Sequence, residues 1–397
     1  MKKPTKNLLI QSILVICAAA SLTTVPRSAF ADAEVYQKTL RSTAWVLAKT
    51  DGETSSGTGV LVDDDRKLVL TNFHVVGEAR VAVLFFPEIT DGKPEVSRQH
   101  YLKNVKKLGT RGRVVAVDRK RDLAVIELDK LPSGASAIPM AAKSTGPGED
   151  IQSIGNAGSS EALWVFTSGT VRSVYKKKFR TGAGEHQFTV VETQSPINSG
   201  DSGGPVVNNK GELVAVTQAI SPKARLISYS VDIAEVKSFL SSPWKPAPLP
   251  IKEIMELTEL EFTKHEKSGH MEVQFDQKND EKQAVFIAKD VEYYERADIR
   301  RIWSLAATLT EAPDLTVTMR LLQQSARTKI GAWTVEETPQ GEFMVIYSVK
   351  LDATAAPDAV RSTMEYVAKL TSISKRDLLP KETVASASET LDSWLNN

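Results

Sequence analysis

From Thr43 to about residue 231 the chain is filled by short apolar or alternating runs separated by turn chemistry. They predict strands at 44–48, 57–62, 68–71, 81–86, 112–117 and 123–128. A second series follows Leu131-Pro132, at 150–154, 164–168, 169–174, 187–192, 204–207, 213–218 and 227–231. Two sets of about six strands predict two small antiparallel barrels rather than one large sheet. A lead-in helix is expected over 32–42 and a closing helix over 233–240, with Asp232 as its N-cap. Pro243, Pro246, Pro248 and Pro250 then resist helix and central strand alike and predict a linker over 241–250. Beyond it the period changes. Strands are expected at 270–275 and 283–288, helices at 299–309 and 315–325, and a hairpin of 329–336 with 343–351 around Pro339-Gln340-Gly341. Val360, Met364, Val367 and Leu370 lie at helical spacing and predict a helix over 357–370. The fold class is therefore a mainly β domain of two antiparallel six-stranded barrels, followed by a smaller α+β domain.

Composition changes little in this picture. Of 397 residues, 41% are hydrophobic and 25% charged, as in ordinary soluble proteins. The net charge of +1 gives no argument for a nucleic-acid partner. The N-terminus is different. Lys2, Lys3 and Lys6 precede an apolar stretch over 8–22, and Ala29-Phe30-Ala31 offers small residues before a cut. This reads as a signal peptide over 1–31, cleaved after Ala31, and hence as an exported protein, periplasmic or secreted. The apolar stretch is shorter than the ~20 residues a spanning helix needs, so no stable membrane span is expected after cleavage. Cys17 is the single cysteine, and Ile16 before it does not suit a lipid-anchor signal. The cleaved chain would hold no disulfide and no thiolate metal site. Neither a metal nor another cofactor is indicated, and Asp63 to Asp65 reads as a turn because the Gly and distant Glu of a calcium loop are lacking. The resulting division is signal peptide 1–31, β domain 32–240, linker 241–250 and α+β domain 251–397.

Candidate chemistry centres on Gly200-Asp201-Ser202-Gly203-Gly204-Pro205. Glycines around a serine permit a tight path that turns the hydroxyl outward. The same path aims the backbone N–H groups of Gly200 and Ser202 at a developing oxyanion. A serine hydroxyl needs an adjacent base. Of His74, His100, His186, His265 and His270, only His74 lies in a distinctive context, Thr71-Asn72-Phe73-His74-Val75-Val76, at a strand end; His100 reads as a loop residue. The orienting acid should be short and partly buried. Asp122 opens an apolar strand, while its rival Asp118 adjoins Arg119 and Lys120 and reads as a solvated turn residue. The chain order is then His, Asp, Ser, one of three orders in which such triads occur.

With Ser56-Gly57-Thr58-Gly59-Val60, Gly155-Asn156-Ala157 and Thr167-Ser168-Gly169-Thr170-Val171, these segments make the region 43–240 resemble a trypsin-like serine protease of the chymotrypsin fold, in the HtrA (Deg) branch. The resemblance implies His74 as general base, Asp122 as its orienter, Ser202 as nucleophile, and Gly200 and Ser202 as oxyanion donors. It implies polypeptide substrates and a pocket with Pro196 and Ile197 at its floor and Thr217 and Ala219 in one wall. None of the four is charged, so a small or medium apolar P1 residue is expected. Three departures stand out. Asp201 replaces the Asn usual in this branch; in trypsin-like zymogens an Asp there pairs with a newly cut N-terminus, but no Ile-Val-Gly-Gly-type segment occurs near residue 32. Gln194 lies near where the branch has Asp. After residue 240 no PDZ carboxylate-binding loop is found; the segment 283–378 resembles instead the YbjN or type III secretion chaperone-like fold, which implies a protein or peptide partner. The basic run Lys176-Lys177-Lys178-Phe179-Arg180 reads as a solvated loop or a docking site for an acidic partner. The alternative to an enzyme is a catalytically silent protease fold that serves as a binding scaffold.

Overall fold

The computed structural model describes residues 28–50, 53–182, 184–220, 227–277, 282–294 and 297–378. The expected signal segment lies outside these up to residue 27. The first helix, α1 (Ser28–Leu40), begins earlier than the expected 32–42 and ends earlier too. Its stop is local: Ser42 N–H and the Thr43 hydroxyl both bond back to Thr39 O, and the chain leaves as a strand. The chain divides into two compact units between Trp244 and Lys245, inside the proline-rich stretch.

The first unit holds two closed barrels. The strands of the first are β1 (Thr43–Thr50), β2 (Glu53–Asp63), β3 (Leu68–Thr71) and β4 (Val81–Phe85), then β7 (Thr110–Asp118) and β8 (Leu123–Leu128) after an excursion. The excursion carries the small ladder β5 (Ile89–Thr90) and β6 (Lys93–Pro94). The barrel closes in the order β1-β2-β3-β8-β7-β4. A helical turn, α2 (Phe73–Val76), follows β3, and α3 (Arg98–Lys103) with α4 (Val105–Leu108) lies in the excursion. His100 is thus on a helix, not in a loop: Ser97 caps α3 by accepting from His100 N–H. The second barrel comprises β9 (Asp150–Gly155), β10 (Val165–Thr181), β11 (Gly184–Thr193), β12 (Pro205–Val207), β13 (Leu213–Ile220) and β14 (Ser228–Asp232), closed as β10-β11-β14-β13-β12-β9. The two strands expected at 164–168 and 169–174 are one, β10, which leaves β9 after Thr170 and continues along β11 from Val171. The closing helix α5 (Ile233–Ser241) has Asp232 as N-cap, accepting from Ala234 N–H at 2.8 Å.

Alternation sends Val46, Leu61, Val69 and Ile126 into the first barrel and Ile151, Val171, Val191 and Ala215 into the second. A third cluster joins them: Val60, Leu70 and Val125 meet Val190, Val216, Val231 and Phe239. A fourth gathers Leu40, Trp45, Phe85 and Tyr101 with Ile154, Leu163 and Trp164, tying the excursion to the second barrel. Tyr101 is fully buried there, a contribution of about 2–3 kcal/mol for a side chain of this size.

The second unit is an α+β fold. Helix α6 (Ile251–Leu257) precedes β15 (Thr263–Lys264), β16 (Met271–Asp276), β17 (Lys282–Ile287), β18 (Glu292–Tyr294) and β19 (Ala297–Leu309). Helix α7 (Leu315–Arg327), the hairpin β20 (Ala332–Glu337) and β21 (Phe343–Asp352), and α8 (Pro357–Leu378) complete it. The antiparallel sheet runs β15-β16-β17-β19-β21-β20, with β18 on β19. The segment 299–309, expected as a helix, is the long central strand β19. Its apolar residues are nearly continuous because both faces are covered: Ile302 and Ala306 join Met364 and Val367 of α8, while Trp303 and Leu305 join Phe286 and Ile346 opposite.

Candidate active site

The site grows from the edge where the barrels meet. Strand β3 ends at Thr71, and the turn α2 presents His74, whose side chain is 30% exposed. Asn72 fixes this turn from beneath: its Nδ2 and the Phe73 N–H both donate to Asp122 O. His74 N–H donates to Asp122 Oδ1 at 2.9 Å, and His74 Nδ1 lies 2.6 Å from Asp122 Oδ2. Asp122 therefore receives the histidine through both backbone and ring.

Asp122 has φ +54°, a left-handed conformation that Asp tolerates and a β-branched residue would not. The turn before β8 enforces it. Asp122 N–H donates to Arg119 O, which also accepts from Nδ1 of the buried His186 at 2.8 Å. The rival acid is spoken for: Asp118 takes the Arg121 guanidinium at 2.6 Å, and Arg121 also reaches Glu235 on α5 at 2.8 Å. Burial alone would push the Asp122 carboxyl up. The His74 hydrogen bond and charge, a bond from Gln218 and the charge of His186 outweigh it, and the carboxyl sits below its ordinary value. An ionised carboxylate only accepts, so the proton between the two is carried by His74 Nδ1, and Nε2 is the ring nitrogen that Asp122 does not engage.

Gln218 was not singled out by the sequence, and it is central. Its Nε2 donates to Asp122 Oδ2 at 2.8 Å. Its backbone oxygen accepts from Ser202 Oγ at 3.0 Å. Both follow from a bulge: Thr217 pairs with Ser230 and Ala219 with Tyr229, so Gln218 is the extra residue of β13. The sequence shows only a glutamine at the end of the apolar run 213–218, with nothing to mark its partners. Among the described residues Ser202 Oγ bonds to Gln218 and makes no hydrogen bond to His74.

The loop that carries Ser202 is shaped by glycine. Gly203 has φ +86°, and a Cβ there would come within 2.1 Å of Thr58 O and 2.3 Å of Thr71 Oγ1. Gly200 has φ +103°, with Asn156 O 2.5 Å from where a Cβ would stand. Ser202 O accepts from Thr58 N–H, and the Thr58 hydroxyl donates to Gly200 O at 2.7 Å. Held in this way, the N–H groups of Gly200 and Ser202 donate to nothing among the described residues.

The four expected pocket residues are less uniform. Pro196 is exposed and Ile197 half-buried. Thr217 is buried, with its N–H and C=O engaged by Gly204 and Gly203. Ala219 pairs with Tyr229 along β13, and its side chain lies outside the described residues. Beneath them Ser195 is buried, its Oγ without a partner. Among the described residues no cluster of His, Cys, Asp and Glu could hold a metal ion, and no helix is long and apolar enough to cross a membrane.

Residues 57–216 match the trypsin-like peptidase domain family. The periplasmic serine endoprotease DegP of Escherichia coli (strain K12) is 30% identical over 166 residues, covering 41% of this chain and 30% of that protein. Serine protease HTRA1A of Danio rerio is 28% identical over 213 residues, covering 53% of this chain and 38% of that protein. The chain thus spans less than half the length of the curated relatives it matches. Among solved structures, the active form of the Rv3671c protease from M. tuberculosis aligns with a TM-score of 0.45 at 19% identity, over 56% of this chain and 91% of that one.

Proposed function

We propose that this chain, whose residues 57–216 form a trypsin-like peptidase domain similar to those of HtrA and DegP proteases, is an exported serine endopeptidase. The observation that carries the reading is the buried Asp122 carboxyl bonded to His74 Nδ1 at 2.6 Å, beside a glycine-shaped Ser202 loop. Ser202 Oγ leaves Gln218 O by rotation about its side chain and turns to His74 Nε2. His74 takes the hydroxyl proton as Oγ bonds to the substrate carbonyl carbon. The N–H groups of Gly200 and Ser202 receive the negative carbonyl oxygen. Collapse breaks the C–N bond, and His74 gives its proton to the leaving amine. Water, deprotonated by His74, then releases the acyl group and restores Ser202.

The uncharged residues Pro196, Ile197, Thr217 and Ala219 support a small or medium apolar P1 residue; strong cleavage after Arg or Lys in a peptide library would refute that preference. Export is supported by the basic, apolar and small-residue segments over 1–31. The second unit is proposed to bind a protein or peptide partner. The scaffold alternative draws on one feature, the engagement of Ser202 Oγ by Gln218 O. A fluorophosphonate probe decides between the two. The endopeptidase reading expects labelling of the full chain and none of Ser202→Ala; a full chain that stays unlabelled at every pH leaves the scaffold.

A further inference from the structure

Asp201 precedes Ser202 and is buried, which is an expensive place for a carboxylate. Its Oδ2 accepts from Asn198 N–H at 2.7 Å, and the nearby Ala157 N–H also favours the charged carboxyl. A Cβ on Gly155 would meet Asp201 Oδ1 at 2.1 Å, so the carboxyl is pressed against the end of β9. Among the described residues the charged side chain that acts on Asp201 is Arg98, and the one that acts on Arg98 is Asp201.

Arg98 comes from the other barrel's excursion, on α3. Its Nη2 donates to Asn156 O at 2.8 Å and Ala157 O at 2.7 Å, and its Nε to Ser160 O at 3.3 Å. Its guanidinium lies over the Trp45 ring, 5.0 Å from the centroid. The carbonyls it holds belong to the segment whose N–H groups hold the nucleophile loop. Gly158 N–H donates to Ser199 O at 2.7 Å. Asn156 N–H donates to the Thr58 hydroxyl, which donates to Gly200 O. The peptide planes of 156–158 thus have Arg98 on their oxygen side and residues 199–201 on their nitrogen side. The excursion itself is anchored nearby: Leu163 N–H bonds to Val96 O, and Trp164 Nε1 to Glu95 O.

We propose that Arg98 is a positioning residue for the oxyanion loop: through the Asn156 and Ala157 carbonyls and its charge on Asp201, it holds Gly200 and Ser202 in reacting orientation without a newly cut N-terminus. The proposal rests on the reading of Ser202 as nucleophile. Burial pushes the Asp201 carboxyl up, and the Asn198 and Ala157 N–H groups and the Arg98 charge only partly oppose this. Burial likewise lowers the Arg98 guanidinium, against the pull of Asp201. Without Arg98 the carboxyl loses its cation and takes up a proton at higher pH. It then accepts more weakly from Ala157 and Asn198, and the loop loosens.

The test measures fluorophosphonate acylation rates against pH on the full chain. Arg98→Met is expected to acylate about tenfold more slowly or worse at neutral pH, since loss of an oxyanion donor outright costs about 10²–10³. Its acid limb should move to higher pH. Asp201→Asn should abolish that movement and reduce the penalty of adding Arg98→Met. Arg98→Lys keeps the charge but not the two-carbonyl fork, so it should hold the acid limb in place while lowering the rate; it carries the test if Arg98→Met does not fold. The proposal is overturned if Arg98→Met matches the parent in rate and profile. It is overturned equally if the loss is the same at every pH and in the Asp201→Asn background. A parent chain that labels at no pH refutes the nucleophile reading and this proposal together; one that labels while Arg98→Met is unchanged refutes this proposal alone.

Discussion

Replacing Gln218 tests how the acid of the site is held. In Gln218→Leu the Nε2 bond to Asp122 is lost, and a hydrogen bond to a charged group contributes about 1.5–3 kcal/mol. Asp122 keeps both bonds from His74, so the lower end applies: acylation of Ser202 should slow about tenfold, at about 1.4 kcal/mol per factor of ten. Gln218→Glu is the more telling change. It sets an oxygen where Nε2 stands, 2.8 Å from Asp122 Oδ2, and two full charges at that distance repel by about 6 kcal/mol at an effective dielectric of about 20. The pair cannot be doubly ionised at neutral pH, so it holds one proton, and the introduced carboxyl can donate to Asp122 as the amide did. Gln218→Glu should therefore acylate faster than Gln218→Leu at pH 7 and lose that advantage in the alkaline range, where the shared proton leaves. The assay is the fluorophosphonate rate across pH, with denaturation curves to show that each variant folds. A Gln218→Leu protein as fast as the parent, or a Gln218→Glu protein slowest at low pH, would refute the argument.

Two further outcomes follow from the same geometry. Gly203→Ala combines a left-handed φ with backbone contact at 2.1 Å, so it should destabilise the protein by about 3 kcal/mol or more, read as a lower urea midpoint with an unchanged slope. Asp122, with its pKa lowered in the folded chain, contributes stability that is present above its unfolded value of about 3.9 and is lost as pH falls through the folded value. Acidification below about pH 4 should therefore lower the thermal midpoint of the parent more steeply than that of Asp122→Asn; parallel curves would contradict the assignment.

Much of the β architecture was legible because its alternation is short-range. Two barrels, the N-cap at Asp232 and the hairpin around 339–341 all follow from neighbours along the chain. His74, Asp122 and Ser202 stood out because each sits in a distinctive local setting. The strand β19 did not, since a segment buried on both faces has no period to read and resembles a buried helix. Gln218 and Arg98 were illegible for another reason. Their partners lie 96 residues away at Asp122 and 58 residues away at Asn156, and nothing local marks either pairing. Asp201 was noticed as a departure, but the cation whose charge acts on it could not be found from a sequence in which Arg98 begins an unremarked polar stretch.

The bulge in β13 makes part of the site a matter of counting. The ladder with β14 needs one residue fewer than the strand supplies, and the surplus residue is the one that serves both Ser202 and Asp122. Position 218 can therefore be exchanged for another amino acid with a graded loss. A deletion there would be different in kind: Thr217 and Ala219 would become neighbours with their partners Ser230 and Tyr229 unchanged, the ladder would run on without a bulge, and no residue would be left to reach both Ser202 and Asp122. Insertions and deletions near this point carry a penalty that no substitution scale records.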